Sequence, residues 1–236
     1  MIISAIKIFF VIIVTIILAC AAFVVLPFDR TGRLYHGVGR LYGRSVLAIS
    51  GVRLTVEGLD RVDFTRSYVY VSNHASLFDI SAIQAGIPAE IRIVYKKELE
   101  RIPLFGWILK YGRTYIGIER GKGPEAVKSL ERAAAKIRGG ASVFMFAEGT
   151  RSPDGRLQSF RRGAFNLAVK AGVPVVPVTI NGSYGILRKG TFGIKPGAIR
   201  MVLDAPVSPR EADGRTAEMQ LMEEVHRIIE SHYAEQ

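Results

Sequence analysis

Two kinds of hydrophobic patterning divide the chain. Residues 8–28, IFFVIIVTIILACAAFVVLPF, carry no charged side chain. At ~1.5 Å rise per residue, a helix over 8–26 is about 28 Å long, close to the ~30 Å of a bilayer core. Pro27 ends the run. From about residue 51 the pattern changes to short β-rich runs separated by helical stretches. VRLTVEG, YVYVSN, IRIVYK, TYIGIE, SVFMFA, VPVVPVTI and AIRMVLD read as strands. Helical spacing falls on 76–85, 104–111, 124–138, 163–171 and 216–233. Pro124 suits a first helical position, and Gly139-Gly140 suits an exit. RKGTFGIKPG reads as a loop or hairpin. Strands alternating with helices predict an α/β fold, a mostly parallel sheet flanked by helices.

The pattern predicts two parts, an N-terminal anchor over 1–50 and a second domain over 51–236. The apolar run is longer than a secretory signal core of ~7–15 residues, and Leu18 fits the lipoprotein pattern before Cys20 poorly, so a retained anchor is the better reading. Cys20 is the single cysteine, which excludes an intramolecular disulfide and a cysteine-based metal cluster. After the anchor, Arg33, Arg40 and Arg44 recur on one helical stripe. Leu34, Val38, Leu41, Tyr42, Val46 and Ile49 cover much of the other side. This reads as a basic amphipathic helix at a membrane surface, or else as an ordinary helix packed on the domain.

The formal net charge is +11. Nucleic acid would be one reason for such a charge, but beside an apolar anchor an anionic membrane surface is the better partner, and no nucleic acid is expected. Arginines following the anchor place the body of the protein at the membrane on the cytoplasmic side.

In a parallel α/β sheet, ligands sit beyond the carboxyl ends of the strands. His74 follows YVYVS, Glu148 follows SVFMF and Asn181 follows PVVPVTI. Histidine titrates near neutral pH, and a carboxylate on its other nitrogen fixes the tautomer and stabilises the imidazolium. Asp79 lies within one helical turn of Ser76 and can fold back toward His74. The pair is a candidate general base, or a structural histidine beside a capping carboxylate. No GxSxG elbow supplies a protein nucleophile, so the base would activate a hydroxyl of the substrate.

A second cluster is AEGTR. Glu148 opens it after a strand, Gly149 lets backbone approach an anion, Thr150 offers a hydroxyl and Arg151 a bidentate fork, with Arg161 and Arg162 before the next helix. A solvated polar loop is the plain alternative. YGRTYIGIERGKG lacks P-loop spacing, although Arg120 and Lys122 are cations suited to phosphate. Lys96 and Lys97 are further candidates or a solvated pair. Residues 103–107 read equally as a groove for an apolar chain and as a core helix start.

Together these residues resemble the glycerolipid acyltransferase family, the lysophosphatidic acid acyltransferases in particular, over roughly residues 72–183. NHASLFD matches its His-x4-Asp signature, AEGTR its Glu-Gly-Thr-Arg block, and VPVVPVTI its Val-Pro strand. VYKKELERIPLFGWIL looks like the segment between its first two motifs. The resemblance implies that His74 is the base and Asp79 its orienting partner. It gives acceptor binding to Arg120, Glu148, Gly149, Thr150 and Arg151, and a structural role to Pro177. The implied reaction moves a fatty acyl group from coenzyme A or acyl carrier protein to the free hydroxyl of lysophosphatidate, giving phosphatidate, with another lysolipid or glycerol 3-phosphate as alternative acceptors and with no metal or organic cofactor. Phe146 is followed by Ala147 where the family has proline, and Gly112 to Arg120 is longer than the family spacing; both departures fall in the acceptor half. An acyl-thioester hydrolase and a non-catalytic module binding acidic lipid are the other classes open to these residues.

Overall fold

In the computed structural model the described residues are 2–29, 31–102, 105–112, 115–119, 123–210 and 213–234. The apolar run forms helix α1 (Ile2–Val25), and α2 (Arg33–Ser50) turns back along it. Between them Asp29 is buried and caps the start of α2, accepting from the amides of Gly32 and Tyr35 at 2.8 Å each. These bonds hold its carboxyl below the usual value, against the opposing effect of burial.

Seven strands form one sheet among the described residues: β1 (Val52–Glu57), β2 (Val69–Ser72), β3 (Ile91–Lys96), β4 (Tyr115–Ile118), β5 (Ser142–Phe146), β6 (Val175–Asn181) and β7 (Gly197–Leu203). The order is β1-β7-β6-β2-β5-β3-β4. The β6, β2, β5, β3 and β4 strands run parallel, whereas β7 is antiparallel to β6 and parallel to β1. The sheet is therefore mostly parallel, with two reversed strands at one edge. Its central strands are buried on both faces, which explains their continuous apolar runs.

Alternation along β2 decides which side each residue joins. Tyr68 and Tyr70 pack with α2 and α3 (Phe78–Gly86), while Val69 and Val71 face α5 (Pro124–Arg138), α6 (Gly163–Ala171) and α8 (Gly214–His232). Helix α4 (Phe105–Tyr111) precedes β4, and a short α7 (Ser183–Ile186) follows β6.

The face of α2 differs from the stripe in the sequence. Tyr35, His36, Gly43, Val46 and Leu47 are buried, whereas Leu34 and Leu41 are exposed beside Arg33 and Arg44. Arg40 turns inward toward the carbonyl of Ile87 at 3.4 Å, so the three arginines do not form one surface stripe. Gly43 explains how close α2 sits to α3: a Cβ there would stand 2.6 Å from the carbonyl oxygen of Ser81. Packing of this kind makes α2 a layer of the domain core. Its Val46 and Leu47 share a cluster with Tyr70 and Phe144.

Both ends of α1 are held by the same body. Near its start, Lys7 Nζ donates to the carbonyl of Ser50 at 2.7 Å and Ser4 Oγ to that of Ile194 at 3.4 Å. At its end, Ala19 and Ala22 are buried and the chain turns directly into Asp29. The outer face stays bare, with Ile6, Phe9, Ile16 and Val24 all at least half exposed.

Candidate active site

The parallel strands all end on one edge, where the loops after β2 and β5 meet. Asn73 extends the sheet beyond β2: its Nδ2 donates to the carbonyl of Ile180, and its Oδ1 accepts from the amide of Ile180, both at 2.8 Å. That two-way bond fixes where the next residue, His74, leaves the strand. Sequence reading passed over Asn73, although a buried amide directly before a strand-end histidine was the available signal.

His74 Nδ1 lies 2.7 Å from Asp79 Oδ2. The same oxygen accepts from the amides of Ala75 (2.8 Å) and Ser76 (2.9 Å), so the turn wraps around the carboxylate. Those two amides serve Asp79, and regular helix begins at Phe78, two residues after the Ser76 start expected from the sequence. Asp79 is fully buried, and its Oδ1 has no partner among the described residues. The imidazole stacks on Phe146, with ring centroids 3.7 Å apart and planes within 14°. With Nδ1 directed at Asp79, Nε2 is the nitrogen able to take a proton, and the side chain remains 12% exposed.

Glu148 stands behind His74. It is only 3% exposed, and its Oε1 accepts from the His74 amide at 3.1 Å. Burial pushes its carboxyl up to about 8, against the lowering by the amides of His74 and Gln158. Its Oε1 thus supports the backbone of the catalytic turn. Gly149 has φ 74°, and a Cβ there would meet the Arg161 side chain at 2.8 Å, so Arg161 lies across the block. Thr150 is exposed and Arg151 half-buried. The amide of Ser152 donates to the His74 carbonyl at 2.7 Å, stitching the block to the histidine turn.

The remaining expected site residues divide. Lys96 ends β3 on the same edge but directs its ammonium to Glu98 at 3.4 Å. Lys97 pairs with Glu119 at 2.5 Å. Arg120, Lys122 and Pro103 lie outside the described residues. Asn181 turns away from the cluster, donating to the His232 carbonyl and accepting from the Ala234 amide, and is a structural clamp on the C-terminal segment. Trp107, on α4, is 52% exposed, so it is not a core residue. Where the family carries proline, the amide of Ala147 donates to the Ser72 carbonyl at 3.0 Å and continues the β2–β5 pairing by one bond.

The family profile described as Acyltransferase matches residues 53–181, more than half of the chain. The chain belongs to this acyltransferase family. It is 35% identical over 191 residues to the chloroplastic 1-acyl-sn-glycerol-3-phosphate acyltransferase LPAT1 of Arabidopsis thaliana, covering 80% of this chain and 53% of that protein. A Pseudomonas aeruginosa protein, 1-acyl-sn-glycerol-3-phosphate acyltransferase, is 32% identical over 189 residues, or 79% of this chain and 71% of that one. The chain thus spans a little over half the length of the chloroplast relative. Among solved structures, the 1-acyl-sn-glycerophosphate (LPA) acyltransferase PlsC from Thermotoga maritima superposes with a TM-score of 0.83 at 27% identity, covering 100% of this chain and 96% of that one. For this acyltransferase chain the match includes His74, Asp79 and the Glu148–Arg151 block, and ends at Asn181 before the β6–β7 connection.

Proposed function

We propose that the protein is a membrane-bound enzyme that transfers an acyl group from an acyl thioester to the free hydroxyl of lysophosphatidate, giving phosphatidate. The observation that carries this reading is the His74–Asp79 contact of 2.7 Å at the sheet edge, beside a cationic loop. His74 Nε2 takes the proton of the acceptor hydroxyl as that oxygen attacks the thioester carbonyl. The new C–O bond forms, the tetrahedral adduct collapses with loss of the C–S bond, and the imidazolium returns its proton to the departing thiolate. Asp79 holds Nδ1–H in place and stabilises the imidazolium between the two proton transfers. Arg151 and Thr150 bind the acceptor phosphate, and Glu148 positions the His74 backbone. The donor is acyl-coenzyme A or acyl carrier protein.

Membrane attachment follows from α1. Its outer face is apolar, while its start is bonded to the domain and Ala19 and Ala22 near its end are buried. Helix α1 is long and apolar enough to cross a membrane, and it holds the domain at the lipid surface. Exposed Arg33 and Arg44 favour the anionic cytoplasmic leaflet.

The test uses detergent-purified protein, labelled acyl-coenzyme A, and a panel of lysolipid acceptors that includes lysophosphatidate. Wild type forms labelled phosphatidate, His74→Ala forms none while keeping its fold, and Arg151→Ala raises the acceptor KM. Release of free fatty acid without acceptor would make the protein a hydrolase. No turnover with either donor would leave a lipid-binding module.

A further inference from the structure

The connection between β6 and β7, residues 182–196, lies beyond the family match and reaches back over the catalytic edge. Three contacts hold it there. Ser76 Oγ, in the turn around Asp79, donates to the Leu187 carbonyl at 2.8 Å. The Tyr184 hydroxyl donates to the Pro153 carbonyl at 3.0 Å. Lys189 Nζ donates to Thr150 Oγ1 at 3.3 Å and to the Arg151 carbonyl at 3.1 Å.

The third contact has a chemical consequence. A lysine ammonium has three protons, and two are directed at the loop after β5, leaving one for a ligand. Thr150 Oγ1 accepts from Lys189, so its own hydroxyl proton points elsewhere. Lys189 and Thr150 are exposed, and among the described residues no carboxylate lies within 4.0 Å of Lys189 or Arg151. The nearby Glu148 is buried and directs Oε1 at the His74 amide, and burial pushes its carboxyl up to about 8. An ammonium and a hydroxyl without a counter-charge, held on a loop that also carries Arg151, suit a phosphate monoester dianion. Only two carbons and an ester oxygen separate the reacting hydroxyl of a lysophosphatidate from its phosphorus. The phosphate site must therefore adjoin His74, whose carbonyl is bonded to the residue after Arg151.

We infer that Lys189 is a further acceptor-binding residue, which with Thr150 and Arg151 grips the phosphate monoester and selects acceptors that carry one. The inference rests on the acyl-transfer reading of the same site. Loss of one hydrogen bond to a charged group, at its lower end, corresponds to about a tenfold weaker interaction.

The experiment measures KM and kcat for wild type, Lys189→Ala, Lys189→Arg and Lys195→Ala, with lysophosphatidate and lysophosphatidylcholine as acceptors. Lys195 is an exposed cation of the same loop, whereas the bonds to Thr150 and Arg151 come from Lys189, so it controls for loss of charge alone. Lys189→Ala should raise the lysophosphatidate KM about tenfold with kcat within twofold and the acyl-donor KM unchanged. Lys189→Arg should recover most of the loss, and any turnover of the choline ester should not respond. An unchanged KM, or a fall in kcat alone, would overturn the inference, the latter making Lys189 a prop for the loop. Should wild type itself fail to acylate lysophosphatidate, the parent reading falls. Calorimetric titration of the full chain with glycerol 3-phosphate then decides. Weaker binding by Lys189→Ala than by wild type upholds the phosphate site for a soluble ester, and equal or absent binding in both removes it.

Discussion

Replacing Asp79 with asparagine separates the charge of the orienting residue from its shape. Three hydrogen bonds converge on Oδ2, two of them from the rigid backbone of Ala75 and Ser76. An asparagine must therefore place its oxygen at that position, since an NH2 group would face two N–H donors. The Nδ1–H tautomer of His74 survives, and what is lost is the negative charge opposite the imidazolium. At an effective dielectric of ~20, unit charges ~3 Å apart attract by about 5 kcal/mol. The amide dipole keeps part of that, so a loss of roughly 2–3 kcal/mol is expected, or a kcat lower by about 30- to 150-fold. KM for both substrates should change little, because the lost interaction develops only as the proton transfers. The fold should not suffer in proportion. Asp79 is a fully buried carboxylate whose Oδ1 has no partner among the described residues, and a neutral amide is cheaper to bury. The assay pairs steady-state kinetics at saturating acceptor with a melting curve of the same preparation. A kcat within threefold of wild type would refute the electrostatic role. A large loss in Tm would show that the carboxylate serves the fold instead.

Three further expectations follow from the geometry. The folded-state carboxyl of Glu148, at about 8, lies above its value of 4.5 in an unfolded chain. The stability it contributes is full below the lower value and is lost as pH rises through the higher one. Between pH 5 and pH 8, wild type should therefore lose more Tm than Glu148→Gln, which cannot titrate; parallel curves would remove Glu148 as the cause. Gly43→Ala pushes a methyl against the Ser81 carbonyl at 2.6 Å and the Ala85 amide at 3.1 Å, backbone atoms that cannot step aside. It should cost about 1–3 kcal/mol in denaturant unfolding, and a neutral result would mean that α2 and α3 separate easily. Phe9→Glu, on the bare face of α1, should weaken flotation with anionic vesicles while leaving the melting curve in detergent unchanged. Equal flotation would place the lipid contact elsewhere.

Much of the architecture is legible from local pattern alone. All seven expected strands form, and α5 and α6 occupy 124–138 and 163–171 as the proline, glycine and apolar spacing predict. His74 and Asp79 were recognisable because both lie in one short turn, where covalent connectivity already limits their separation. Glu148 and Arg151 could be placed on the same edge because every parallel strand delivers its following loop to one side of a sheet.

What the tertiary structure decided involves partners distant in the chain. Strand direction at the edge, with β7 reversed against β6 and β1 following it, depends on pairing between residues that local alternation does not relate. The helical stripe of Arg33, Arg40 and Arg44 was real as a spacing. Which side of α2 became buried was set by the groove that Gly43 opens against α3, and that turned Arg40 inward. Nothing local in the sequence shows that Glu148 is enclosed; the packing behind His74 buries it, and burial pushes its carboxyl up to about 8. Lys189 stood in an undistinguished loop, 38 residues beyond Arg151, and only the fold of the β6–β7 connection carries it back to that block. The sequence thus determined the elements and the short-range pair of the catalytic turn. Burial and long-range approach, which exist only once the layers pack, enclosed Glu148 and brought Lys189 to the block after β5.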